Sequence, residues 1–268
     1  MIRLAVFDID RTLVSPDEGI IAPETVAALK QLQSKGIKTA IASGRLYSFL
    51  QADILDLGFD YYIMSNGGYV ADRDGNVLIQ EALDDGTVAA LVDKMLRLDL
   101  PIDIRYCMGK QTGNPNQSVL EWMQPIWSKR KFKGETPRAF LEEYEPREEE
   151  LPISFGGYIP EELRAEFEAE FPQLVFMPVF ESPMCDINPA GISKATGLHR
   201  ICQLLSIDIS ETIAFGDDRN DVEMIEAAGI GVAVGNGIRA VQEAADYITD
   251  TCENLGVVKA LKHFGLLD

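Results

Sequence analysis

Histidine, paired cysteine and basic charge are all scarce in this chain, and each shortage closes off a class of function. The two histidines, His199 and His263, and the four cysteines, Cys107, Cys185, Cys202 and Cys252, contain no Cys-x-x-Cys pair and offer no zinc-ligand spacing. Cysteines scattered in this way over 268 residues read as buried thiols of a reducing compartment. Lysine and arginine total 24 against 43 aspartates and glutamates, a net charge of −19, which disfavours a nucleic-acid partner and promotes solubility. No apolar run approaches the ~20 residues that a membrane helix needs. The run Leu4–Phe7 is too short for the core of a signal peptide, and carboxylates follow it at once. The expected setting is cytoplasmic, without a membrane partner.

What is present is a core-forming composition, 46% hydrophobic, arranged in alternating strand and helix patterns. Residues 2–7, 37–42 and 61–64 read as strands; 22–35 and 45–57 read as helices, the first with Pro23 near its start and Gly36 just past its end. The rhythm returns in a helix over 194–205, a strand over 212–215, a helix over 220–228, strands over 230–234 and 247–249, and a last helix over 255–263. Such alternation predicts an α/β fold, a Rossmann-like parallel sheet with helices on both faces. The middle differs. A hairpin over 69–81 and a helix over 84–98 lead into strand candidates at 102–107, 152–158, 174–178 and 184–187, which predict a mixed or antiparallel sheet. Trp122, Trp127 and the basic run Lys129–Lys133 fall in this stretch; core packing and closure over a substrate are both open to the two tryptophans.

Asp8 and Asp10 follow the first strand, Ser43-Gly44-Arg45 follows the second, and Gly216-Asp217-Asp218-Arg219-Asn220-Asp221 follows the strand at 212–215. In an open parallel sheet ligands bind beyond the carboxyl ends of the strands. These segments meet there only if residues 1–82 and 188–268 build one sheet, which makes 83–187 an inserted α+β domain placed to act as a lid. Each piece has an ordinary alternative. Asp-x-Asp can cap a turn, Ser43 can be a helix N-cap, Gly216-Asp217-Asp218 can be a turn, and Lys194 can be a solvated surface charge. Read together, they describe converging carboxylates that need a hard cation, of which Mg²⁺ suits the donor set, beside a hydroxyl and a lysine that suit a phosphate. Ser43-Gly44-Arg45 would present backbone N–H groups at the start of a helix.

These segments, in this order and with this insertion, resemble the haloacid dehalogenase superfamily of hydrolases, most closely its Cof-type branch with a large α/β cap between the second and third motifs. Asp8, Asp10 and Thr12 match the first motif, Ser43 the second, Lys194 the third, and Gly216, Asp217, Asn220 and Asp221 the fourth; Asn66-Gly67 also fits that branch. The resemblance implies a phosphatase acting on small phosphorylated metabolites, sugar phosphates by preference. Asp8 would be the nucleophile that forms an aspartyl-phosphate, and Asp10 the general acid and base. Mg²⁺ would be held by the Asp8 carboxylate, the Asp10 carbonyl and Asp217. Ser43 and Lys194 would hold phosphate oxygens. Asp221 would hold a metal-bound water or orient Lys194, and Asn220 would contact the phosphate or such a water.

The residue after Asp10 is commonly glycine in that family and is Arg11 here. Fixing a substrate anion and pairing with a carboxylate of the cap are both open to it. Rival readings are a sugar phosphomutase on the same scaffold, a sensor that binds a phosphorylated ligand without turnover, and a nucleotide-dependent oxidoreductase. The last is suggested by the G-x-G-x-x-A spacing of Gly235, Gly237 and Ala240 but opposed by the short chain that follows. Monomer and homodimer are both open.

Overall fold

Four consecutive apolar residues, Leu4–Phe7, form a strand with no solvent-exposed face (β1). Such a run is what a strand covered by helices on both sides requires. It is central to an eight-stranded sheet in the computed structural model of the chain, which describes residues 1–15, 19–106, 111–114, 141–142, 152–178 and 182–268. The other strands before the insertion are β2 (Lys38–Ala42), β3 (Tyr61–Met64), β4 (Tyr69–Asp72) and β5 (Val77–Gln80). The inserted strands are β6 (Ile102–Tyr106), β7 (Gln111–Asn114), β8 (Leu141–Glu142), β9 (Pro152–Tyr158), β10 (Leu174–Pro178) and β11 (Met184–Pro189), and β12 (Thr212–Gly216), β13 (Ile230–Ala233) and β14 (Tyr247–Ile248) follow them.

The eight-stranded sheet has the order β14-β13-β12-β1-β2-β3-β4-β5. Pairing is parallel from β14 to β3 and becomes antiparallel at β4. β1 is flanked by β12 and β2, with Phe7 opposite both Phe215 and Ile41, so three strands end at one level. The chain is therefore α/β, with a parallel-sheet core and helices. It divides into two compact units: Met1–Gly44, Asp53–Ile79 and Ser193–Asp268 form the first, and Arg45–Ala52 with Gln80–Ile192 form the second.

In the first unit, strand residues of period two feed two cores. Val6, Ala40 and Ala214 pack with Ala195, Leu198 and Ile201 of the helix Lys194–Leu205. On the opposite face Phe7 stacks on Phe215 with ring centroids 5.0 Å apart. The helix Lys194–Leu205 is set at its start by a capping box, Ser193 with Thr196, and is stopped by Ser206 in the left-handed conformation. The second unit contains the six-stranded sheet β10-β11-β9-β6-β7-β8, mostly antiparallel. Its core joins Leu91 and Met95 of the helix Asp85–Arg97, Phe167 of the helix Glu161–Glu170, and Ile104, Phe155 and Ile187 of the sheet.

One element departs from expectation. The helix read over 45–57 is a short 3₁₀ turn, Tyr47–Phe49, followed by a helix only at Ala52–Asp56. Leu46 and Leu50 are buried in extended backbone conformations, and burying both of them overrides the local preference for helix. Trp122, Trp127, Lys129–Lys133 and Cys107 lie outside the described residues. Cys185, Cys202 and Cys252 are buried free thiols. Among the described residues no helix is long and apolar enough to cross a membrane.

Candidate active site

The ends of β1 and β12 bring the first and fourth motifs together. The Asp8 N–H donates to the Phe215 carbonyl at 2.9 Å, so Asp8 is docked against the end of β12. Gly216 then leaves room for Asp221: a Cβ at this position would lie 2.5 Å from the Asp221 Cβ and Cγ. The space is used by a carboxylate clasp, in which Asp221 Oδ2 accepts the N–H groups of Asp217 and Asp218 at 2.9 and 3.0 Å. Asp218 caps the following 3₁₀ turn, Arg219–Asp221, accepting the Arg219 N–H at 2.7 Å.

Lys194 closes the arrangement. It is the first residue of its helix, and its Nζ donates to Asp8 Oδ1 and Asp221 Oδ1, both at 2.6 Å. The ammonium and both carboxylates are buried, so this ion triad is not a surface pairing. Asp217 is also buried, and its Oδ1 accepts the Thr12 hydroxyl at 3.3 Å. The strand stops at Phe7, so Asp10 is not its alternating continuation. The chain folds into a turn in which Leu13 and Val14 both donate to the Ile9 carbonyl, and Asp10 pairs with Val14 in an isolated bridge, half-buried.

Ser43 is buried at the end of β2; its N–H donates to the Ile63 carbonyl and its own carbonyl accepts from the Asn66 N–H, each at 2.9 Å. No helix opens at Ser43-Gly44-Arg45, contrary to expectation, since the first helical turn after it starts at Tyr47. Gly44 is half-buried in the first unit, and Arg45 belongs to the second. Asn220 donates its Nδ2 to the Asn66 Oδ1 at 2.9 Å. Asn66 sits in the left-handed region, φ 54° and ψ 32°, in a turn whose Gly67 lies against the backbone of Ser193.

Burial raises the Asp8 pKa well above the usual carboxylate range; Lys194 opposes this, while Asp221, Asp217 and Asp10 reinforce it. Asp217 is pushed up to about 7, first by burial and then by Asp221, against Arg11 and Lys194. Burial works against the Lys194 ammonium, but Asp221 and Asp8 outweigh it and raise its pKa. The site thus concentrates negative charge at the cost of holding protons.

Carboxylate oxygens of Asp8, Asp217 and Asp221 lie within 4.8 Å of one another. Asp217 Oδ2 is buried and accepts no hydrogen bond. An oxygen-only donor set with one buried acceptor unsatisfied fits a hard cation. The oxygens of Asp221 are engaged by Lys194 and two backbone amides, which leaves Asp8 and Asp217 as the carboxylates turned to that use.

Sequence reasoning placed Thr12 and Asn66 in motifs without giving them a role in the site; their bonds to Asp217 and Asn220 depend on tertiary contacts over 205 and 154 residues. Arg11 has partners of its own beside the site. Its guanidinium lies within the first unit, donating from Nη2 to the Asn236 carbonyl at 2.7 Å, with Nε 3.5 Å from Asp217 Oδ2.

The family model for haloacid dehalogenase-like hydrolases matches residues 5–261. The putative phosphatase YkrA of Bacillus subtilis is 32% identical over 267 residues, covering 99% of this chain and 98% of the relative. Two solved structures superpose over nearly the whole chain. BT1666 of Bacteroides thetaiotaomicron, from the phosphatases of the haloalkanoate superfamily, has a TM-score of 0.85 at 30% identity, covering 100% of this chain and 96% of its own. The subclass IIB sugar phosphatase BT4131 has a TM-score of 0.83 at 27% identity, covering 99% and 100%. The chain belongs to the haloacid dehalogenase-like hydrolases. Within that family it is a phosphatase that acts on small phosphorylated molecules, and its aspartate cluster could hold the metal ion that such enzymes generally use.

Proposed function

We propose that the protein is a Mg²⁺-dependent phosphatase of small phosphorylated metabolites, sugar phosphates by preference, working through an aspartyl-phosphate on Asp8. The observation that carries this reading is the Lys194 ammonium, shared at 2.6 Å between Asp8 and Asp221. It keeps the nucleophilic carboxylate of Asp8 in one orientation and supplies positive charge where phosphate oxygens gain negative charge.

A carboxylate oxygen of Asp8 attacks phosphorus and the P–O bond to the alcohol breaks. Asp10, as the carboxylic acid, gives its proton to the departing oxygen. Asp10, now ionised, takes a proton from water as that water attacks the phosphorus of the aspartyl-phosphate. Phosphate leaves, and both aspartates return to their starting forms. Ser43 donates its hydroxyl to a phosphate oxygen, and the backbone N–H of Gly44 faces the same anion. Asp221 positions Lys194, and Asn220, tied to Asn66, is directed at the phosphate. Mg²⁺ bound by the carboxylates of Asp8 and Asp217 and the Asp10 carbonyl would neutralise phosphate charge and align it for in-line displacement.

The preference for sugar phosphates is supported by the likeness to a sugar phosphatase. We assign substrate choice to the inserted unit, whose sheet carries the ion cluster Asp103–Arg105–Asp186. A cytoplasmic setting belongs to the same reading. The test is phosphate release from p-nitrophenyl phosphate and a panel of sugar phosphates with Mg²⁺. Asp8→Asn, with its circular dichroism spectrum unchanged, is expected to lose about a thousandfold or more in kcat. Turnover retained by that variant would refute the mechanism.

A further inference from the structure

Arg11 has a positive φ of 64°, in the left-handed region that favours glycine. An arginine held there at a site is a strained position that its surroundings must over-determine. Those surroundings are specific. Asn236 Nδ2 donates to the Arg11 carbonyl at 2.9 Å while Arg11 Nη2 donates to the Asn236 carbonyl at 2.7 Å, a reciprocal clasp between two loops 225 residues apart. Asn236 is fixed in turn, because its Oδ1 accepts the Cys252 N–H at 2.8 Å. Gly237, next in the chain, has no room for a Cβ, which would lie 2.9 Å from the Val234 carbonyl. The Gly235-Asn236-Gly237 turn is thus occupied in gripping Arg11.

The clasp leaves the guanidinium with Nε 3.5 Å from Asp217 Oδ2, the buried oxygen that accepts no hydrogen bond. Resting on the metal reading given above, we propose that Arg11 is a positioning residue that acts as a tethered counter-cation to Asp217. It competes with the divalent ion for that oxygen and so weakens the enzyme's affinity for metal. A divalent ion between Asp8 and Asp217 has to share or displace an arginine that the Asn236 clasp keeps in place. Glycine at this position would present no such competitor.

The experiment is direct metal binding, without turnover. Mn²⁺ is titrated into metal-free protein by calorimetry and by electron paramagnetic resonance of the free ion, for wild type, Arg11→Gln, Arg11→Gly and Arg11→Lys. Glycine suits the backbone at φ 64°, and Asn236 bonds the residue-11 carbonyl whatever the side chain, so Arg11→Gly keeps its fold. Removing a competing ion pair of this kind is expected to lower the Kd for Mn²⁺ by about two- to fivefold in the Gln and Gly variants, with Arg11→Lys close to wild type. Unchanged or weaker binding in Arg11→Gln and Arg11→Gly overturns the inference while leaving the metal site itself intact. Binding by Arg11→Lys as tight as by Arg11→Gln also overturns it, since charge would then not be the cause. If wild type binds no Mn²⁺, the metal reading fails first, and this inference with it.

Discussion

Replacing Asp221 by asparagine tests the buried triad most sharply, because shape is kept and only charge and one acceptor are lost. Asp221 is fully buried and accepts three hydrogen bonds, from Lys194 Nζ at 2.6 Å and from the N–H groups of Asp217 and Asp218 at 2.9 and 3.0 Å. An asparagine can keep its oxygen toward the two amides, but its NH₂ then faces the Lys194 ammonium, donor against donor. The alternative flip saves the lysine bond and sets the NH₂ against two backbone donors. Either way a charge-assisted bond becomes a buried conflict, and breaking a buried ion pair on one side costs about 3–5 kcal/mol. For a chain of this size that corresponds to a fall in Tm of roughly 6–20 °C. There is a second signature. Asp217 stands at about 7, raised from 3.8 first by burial and then by Asp221. A raised carboxylate contributes stability that is full below the unfolded value and is lost as pH rises through the folded one. Wild type therefore loses stability between about pH 4 and 7 through Asp217, and the variant, lacking the Asp221 charge, loses less. Thermal unfolding at pH 5 and pH 7 should show a large deficit that narrows as pH rises. A variant within about 1 kcal/mol of wild type, with the same pH slope, would refute the role given to the triad.

Metal and proton should compete at the same carboxylates. Asp8 and Asp217 both have raised pKa values, so their protonated forms persist above the usual range, and Mg²⁺ requires the ionised forms. The Mg²⁺-induced rise in Tm should be small at pH 5, larger at pH 8 and abolished by EDTA; equal gains at both pH values would contradict this. Gly67→Ala should destabilise the first unit by about 2–4 kcal/mol, because φ is 97° and the new Cβ would lie 2.2 Å from the Ser193 carbonyl oxygen. Ser193 caps the helix that begins with Lys194, so a fall in kcat should accompany the loss in urea unfolding; wild-type values in both would count against the packing argument.

Much of this architecture was legible in one dimension, for physical reasons. A fully buried parallel strand is apolar on both faces, and Leu4–Phe7 and Ile213–Phe215 announce themselves in that way. Asp8, Asp217 and Asp221 follow such strands, where an open sheet places its ligands; Lys194, at the start of a helix, joins them only when the segments are read together. The stretch after Ser43 misled, because the burial of Leu46 and Leu50 is a tertiary demand that no helical periodicity records.

The parallel α/β pattern at both ends of the chain and the carboxylates at strand ends followed from local chemistry and hydrophobic pattern alone. Which carboxylate does what was decided only by folding. Asp221 is drawn to Lys194 and to two backbone amides, Asp217 keeps an oxygen without a hydrogen bond, and Arg11 is held by Asn236 with its Nε near that oxygen. Pattern governs burial because water is everywhere along the chain; partnership depends on distances of a few ångströms between residues as far as 225 positions apart, and only the folded chain sets those.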